Sequence, residues 1–80
     1  MSDGRLIVYW RPGCGSCLRL ERALDRAGIE YEQHDIWREP EAAEFVRTHN
    51  NGNETVPTVV LDGTVYTNPD PVFVLERMLG

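Results

Sequence analysis

The sequence predicts an α/β fold: a mixed four-stranded sheet in the order βαβαββα, flanked by three helices. Three observations carry this. Leu6-Ile7-Val8-Tyr9-Trp10 is β-branched and aromatic, is broken by Pro12-Gly13, and gives way to apolar residues at helical spacing. Asp62-Gly63 stands between two short β-forming runs, a strong signal for a tight hairpin. Asp70-Pro71 then supplies a capping carboxylate and a proline suited to a first helical turn.

Taken in order, the first strand is expected over 5–10. The first helix follows over 15–27, where Cys17, Leu20, Leu24 and Ala27 share a face and Gly28 offers a stop. The second strand, over 31–36, starts only a few residues later, as a βαβ crossover requires. Pro40 suits the first turn of a second helix, whose inner face carries Ala43 and Val46, with Ala42 and Phe45 beside them. Asn50-Asn51-Gly52-Asn53 ends it with residues that tolerate left-handed backbone. Thr58–Leu61 and Thr64–Thr67 make the hairpin, and the third helix carries Val72, Leu75 and Leu79. A parallel pair from the crossover and an antiparallel hairpin together give the mixed sheet. Residues 1–4 read as a loose end.

Eighty residues, 1–80, read as a single domain with no room for a second core. A hydrophobic content of 41% suffices for a compact fold. The net charge of −5 argues against nucleic acid or an anionic membrane as the main partner. No basic start followed by a long apolar segment opens the chain, so neither a signal peptide nor a membrane span is expected. Two closely spaced cysteines do not resemble a secreted disulfide scaffold. A cytoplasmic protein working among reduced thiols is expected.

The chemistry lies in Cys14-Gly15-Ser16-Cys17, at the hinge between the first strand and first helix. A thiol at a helix start lies beside unpaired N–H groups, which favour the thiolate and so make a nucleophile. Cys14 is therefore the leading, exposed thiol, and Cys17, one turn on, points back toward the sheet. Arg11 and Arg19 fall near that end and add positive potential, with an ordinary solvated charge as the alternative for each. A structural disulfide and half a zinc site are the other readings of the pair. So short a loop removes little unfolded-state entropy, and zinc would have to recruit His34 and His49 at unusual spacings. Both histidines read as structural or solvent-facing, Trp37 and Tyr66 as packing residues, and Asp35 as a strand-end or loop contact.

Thr55-Val56-Pro57 comes just before the third strand. Proline fits a strand's first position, and a cis bond there allows a tight approach. Pattern alone favours a trans turn proline; coupling to a βαβ unit led by the cysteine pair reverses that preference.

These residues carry a resemblance. Cys14-Gly15-Ser16-Cys17-Leu18-Arg19-Leu20, Asp35-Ile36, Ala42-Ala43-Glu44-Phe45-Val46, Asn51-Gly52-Asn53, Thr55-Val56-Pro57-Thr58-Val59 and Thr67-Asn68-Pro69 resemble the glutaredoxin branch of the thioredoxin-fold superfamily. Within it the chain is most similar to the actinobacterial mycoredoxins, over nearly its whole length after Gly4. The resemblance implies a thioredoxin/glutaredoxin-like fold, a cis Val56–Pro57 bond and reduction of protein–mycothiol mixed disulfides. It makes Cys14 the attacking thiol and Cys17 dispensable or the partner in a side-branch disulfide. Thr55, Val56 and Pro57 match the family's substrate groove; Arg11 and Asn68-Pro69-Asp70 complete the expected substrate-binding set. Glutathione-using relatives carry a Gly-Gly pair and an acidic residue before the last helix, so Asn68-Pro69-Asp70 speaks for a different thiol. No tightly bound cofactor is implied; mycothiol is the co-substrate, and mycothiol disulfide reductase with NADPH the expected electron source. The alternatives are a dithiol redoxin reduced directly by thioredoxin reductase and a dimer bridging an iron–sulfur cluster. The protein itself is expected to be a monomer.

Overall fold

A computed structural model describes residues 5–80, so the reading of residues 1–4 as a loose end lies outside the described residues. The elements are β1 (Leu6–Trp10), α1 (Gly15–Arg26), β2 (Glu32–Asp35), α2 (Pro40–His49), β3 (Thr58–Leu61), β4 (Thr64–Thr67) and α3 (Pro71–Leu79). They follow the predicted βαβαββα order. The sheet order is β2-β1-β3-β4. β1 runs parallel to β2 and antiparallel to β3, which pairs antiparallel with β4.

The turns follow from their residues. Asp62 and Gly63 take φ of 53° and 89°, the left-handed pair that a two-residue hairpin with matching twist requires. At the end of α1, Gly28 (φ 74°) donates to the Asp25 carbonyl and Ile29 to the Leu24 carbonyl. This double closure satisfies carbonyls that a helix end otherwise leaves open, and it sends the chain back toward β2. Among the described residues no helix is long and apolar enough to cross a membrane.

Alternation along β1 divides the core. Leu6 and Val8 pack with Leu20 and Leu24 of α1, Val59 and Leu61 of β3, and Val74 of α3. On the other face Ile36, Ala42, Ala43 and Val46 form a second cluster against Tyr9, Phe45 and Val56. Helices α1 and α3 thus cover one face of the sheet and α2 the other.

One helix takes a face that the sequence left open, and one expectation is corrected. Val72 and Leu79 of α3 are 59% and 66% exposed, whereas Val74 is fully buried. The Asp70 carboxylate fixes the start of α3 by accepting from the Val72 N–H at 2.8 Å, and Phe73 packs edge-on against Tyr66, with ring centroids 5.0 Å apart. That rotation turns Phe73, Val74, Leu75 and Met78 inward and leaves Val72 and Leu79 facing outward. Trp37 is no packing residue: it is 63% exposed. The Asp35 carboxylate accepts from the Trp37 N–H at 2.9 Å, a local turn that carries the indole to the surface.

On the β2 edge, His34 bridges Glu32 at 2.6 Å and Glu39 at 2.7 Å. Partial burial works against its charged form, but the hydrogen bonds and charges of the two glutamates outweigh it and raise the imidazole above its ordinary 6.5. A pKa raised on folding gives stability that is full below the ordinary value and is lost as pH rises through the folded one. His34→Gln should therefore lower the melting temperature at about pH 5.5 and lose most of that effect by about pH 9. Thermal melts of both proteins at the two pH values check this.

Candidate active site

Cys14 occupies the N-cap of α1. Its backbone is extended (φ −97°, ψ 108°), and its sulfur accepts from the Cys17 N–H at 3.2 Å. The first turn of α1 contains no acidic residue, so no carboxylate of that turn opposes a thiolate at the positive end of the helix. Cys14 and Cys17 are joined in a disulfide, with their Cα atoms 5.3 Å apart. Cys14 is half-buried and Cys17 only 1% exposed. Gly13, with φ of 78°, supplies the left-handed step that swings the chain from β1 into this cap.

Opposite Cys14 stands the loop that opens β3. The Val56–Pro57 bond is cis, and the Val56 carbonyl oxygen lies 3.8 Å from the Cys14 sulfur. Strand pairing explains the meeting: Tyr9 near the end of β1 is opposite Thr58 at the start of β3. The Asn68 backbone N–H donates to the Pro57 carbonyl at 2.7 Å, which continues the β3–β4 pairing by one step. Asn68 takes φ of 49°, and the following Pro69-Asp70 leads into α3.

Asn50 holds this loop in shape. Its side-chain N–H₂ donates to the Val46 carbonyl at 2.7 Å and to Thr58 Oγ1 at 3.2 Å, while its oxygen accepts from Thr67 Oγ1 at 2.6 Å. Thr58, fully buried, in turn donates to the Thr55 carbonyl at 2.7 Å. One side chain thereby ties α2, the Thr55–Pro57 loop, β3 and β4. Asn50→Ala should destabilise the protein by about 1–3 kcal/mol, because it leaves partly buried groups unpaired. Urea unfolding of the two proteins measures it.

Two cavities flank the cysteines. One, of about 350 Å³, is lined by Trp10, Arg11, Cys14, Cys17, Leu18 and Glu21. Its lining is an apolar surface with a guanidinium on one side and a carboxyl on another. The second, of about 520 Å³, lies between α1 and the start of α3, with Arg19, Arg22, Asp70 and Val72 on its walls. The arrangement suits disulfide exchange: a sulfur at a helix start, a facing backbone carbonyl, and open space for a second thiol.

Residues 6–66 match the family model described as Glutaredoxin. The chain belongs to the glutaredoxin family. A protein of Mycobacterium tuberculosis named as a glutaredoxin is 47% identical over 70 residues, which is 86% of this chain and 83% of that one. Mycoredoxin 1 of Corynebacterium glutamicum is 43% identical over 72 residues, 89% of each chain. Among solved structures, the glutaredoxin-like NrdH-redoxin from Escherichia coli superposes with a TM-score of 0.77 at 28% identity, over 90% of this chain and 92% of that one. The βαβαββα architecture is thus the thioredoxin/glutaredoxin fold. This glutaredoxin is a thiol–disulfide oxidoreductase with a Cys14–Cys17 pair.

The residues singled out in the sequence fall unevenly around the glutaredoxin's cysteines. Arg11 lines the cavity of Cys14, and its guanidinium stands 5.7 Å from the Trp37 ring centroid. Arg19 does not join it; it lines the neighbouring cavity with Gly15. Pro57 is buried and Thr55 and Val56 half-buried beside Cys14, whereas Asn68 and Asp70 are exposed with Pro69 half-buried between them. The Asp70 carboxylate is engaged as the cap of α3. His34 and His49 are each engaged elsewhere, His34 with Glu32 and Glu39 and His49 with Phe45, whose ring centroid is 4.3 Å away.

Two residues had no reading of their own in the sequence. Asn50 was legible only as a helix terminator, since its partners lie up to 17 positions away. Glu21 looked like any charge on an amphipathic helix. It lines the cysteine cavity instead, and one of its oxygens is buried with no hydrogen-bond partner among the described residues.

Proposed function

We propose that the protein reduces mixed disulfides between proteins and mycothiol, with Cys14 as the attacking thiol. The observation that carries this reading is the likeness to Mycoredoxin 1, which spans 89% of both chains. The cap geometry of Cys14 supports its role, and the rim supports the choice of thiol. Cys14 attacks the mycothiol sulfur, the target protein leaves reduced, and a second mycothiol releases Cys14 as mycothiol disulfide. Thr55, Val56 and Pro57 form one wall of the groove and offer backbone groups to the cysteine portion of the thiol. Arg11 and Asn68-Pro69-Asp70 form the rest. Mycothiol disulfide reductase and NADPH complete the cycle in the cytoplasm, and the protein acts as a monomer without a tightly bound cofactor.

A coupled assay tests it. With a mycothiolated substrate, mycothiol, its disulfide reductase and NADPH, the protein should turn over; no NADPH consumption with all four present would defeat the reading. A second reading has its own support. NrdH-redoxin, described as glutaredoxin-like with a thioredoxin-like activity profile, shares the fold at 28% identity. On that reading both cysteines carry electrons directly from thioredoxin reductase, and NADPH is consumed only when that enzyme is present.

Both readings need an activated Cys14. Iodoacetamide should label it selectively in the reduced protein, with a rate that titrates below the roughly 8.5 of a free thiol. The cap N–H of Cys17 and the nearby Arg11 act in the same direction. A midpoint at or above the free-thiol value would remove the basis for calling Cys14 activated.

A further inference from the structure

Where the Cys14–Cys17 disulfide closes on a mixed disulfide held by Cys14, the attacking sulfur is that of Cys17. That attack needs the Cys17 thiolate, yet Cys17 is only 1% exposed, and burial favours the neutral thiol. A proton has to leave a buried sulfur.

Glu21 lies one helical turn beyond Cys17 on the same face of α1. Both line the cavity that also holds Cys14 and Arg11. One Glu21 oxygen is buried without a hydrogen-bond partner among the described residues. In the disulfide neither sulfur bears a hydrogen. On reduction the Cys17 thiol acquires one, and that is the kind of donor the orphan oxygen lacks. The cavity, at about 350 Å³, also has room for a bridging water.

We propose that Glu21 is the proton acceptor for Cys17 in closure of the Cys14–Cys17 disulfide, and the proton donor when it opens. The Glu21 carboxylate takes the Cys17 proton, and the thiolate attacks the Cys14 sulfur. The Cys14–Cys17 bond forms as the bond from Cys14 to the bound thiol breaks. The departing thiolate is then protonated by the Glu21 acid or by water. The mixed disulfide is reduced, the protein dithiol is oxidised, and no outside electron carrier enters.

The surroundings suit that task. Burial first, and then the charge of Asp25, push the Glu21 carboxyl up from its ordinary value, closer to a thiol's range. Asp25 on α1 and Tyr31 from the segment before β2 interact electrostatically with it, and Cys17 on α1 and Arg11 from the segment after β1 share its cavity. Tyr31 donates to Asp25 at 3.1 Å and, pushed up to about 12, stays neutral while Glu21 titrates.

The proposal rests on Cys14 as the leading thiol, and the experiment separates the two. Reduced protein is mixed with dithiobis(nitrobenzoate) in a stopped-flow instrument. The first thionitrobenzoate appears in a second-order phase as Cys14 attacks, and the second in a first-order phase as Cys17 closes the ring. Survival of the second-order phase in Cys14→Ser would defeat the reading of Cys14 alone. For Glu21, the readout is the ratio of second-phase to first-phase rate constants. Glu21→Gln should lower it about ten-fold near pH 7 and remove a carboxylate inflection from the second-phase pH profile. Glu21→Asp should keep the inflection at reduced rate, which a packing role would not do. A ratio unchanged within about two-fold, or an inflection that survives in Glu21→Gln, overturns the proposal. The unsubstituted protein gives a second measurement. The Glu21 carboxyl carbon, followed by NMR, should titrate at different pH in the disulfide and dithiol forms, and a shared midpoint overturns the coupling.

Discussion

Cys14→Ser should abolish reduction of a mixed disulfide, leaving only the uncatalysed background, whereas Cys17→Ser should keep most of the activity. The asymmetry follows from where the two sulfurs stand. Cys14 is at the helix cap, half-exposed, and faces the Val56 carbonyl; Cys17 is buried one turn further in. Exchange needs a thiolate that an incoming sulfur can reach in line, and only Cys14 satisfies both conditions. A serine hydroxyl there is ionised far too little to attack sulfur. In the monothiol cycle a second small thiol does what Cys17 would otherwise do. Steady-state rates of both variants with the same mixed disulfide decide the matter. Equal loss in both would favour the dithiol reading.

The second large effect is expected in the choice of thiol. Turnover with mycothiol and its reductase should exceed turnover with glutathione and its reductase by about 5- to 150-fold, the ratio that one mismatch of about 1–3 kcal/mol produces. Asn68-Pro69 lacks the flexible glycine pair that lets backbone approach a peptide carboxylate, and Pro69 has no N–H to offer. The Asn68 side chain is exposed and free of hydrogen bonds to other described residues, so it can meet a sugar hydroxyl. Thr67, adjacent in sequence, is less available, because its hydroxyl already donates to Asn50. Competition between the two thiols for one substrate would show the preference directly. Equal or faster turnover with glutathione would sink the mycothiol assignment and leave Cys14 as the nucleophile.

How much of this was legible varied with the kind of signal. β1, β3 and β4 were readable because β-branched runs ended at Pro12-Gly13 and Asp62-Gly63, whose backbone needs are local. β2, by contrast, is Glu-Gln-His-Asp and has no apolar alternation; only the crossover geometry placed it, and its limits came out shorter than expected. The face of α3 was not legible, because a spacing of three and four marks a stripe without saying which side it takes. Tyr66 and the Asp70 cap settle that, and both act through space. The cysteine cap and the proline loop were readable as separate motifs. The Asn50 network and the orphan oxygen of Glu21 were not, since polar side chains acquire such roles only from neighbours that the fold supplies.

The 3.8 Å meeting of Cys14 with Val56 joins positions 42 residues apart in the chain. Closing such a loop carries an entropic penalty that the β1–β3 pairing and the core behind it offset. Before those strands dock, the nascent or thermally opened chain has two ordinary thiols on a fraying helix, with no groove beside them. The carbonyl that faces the cap therefore arrives only with strand docking, a long-range step, and a chain opened there has lost it.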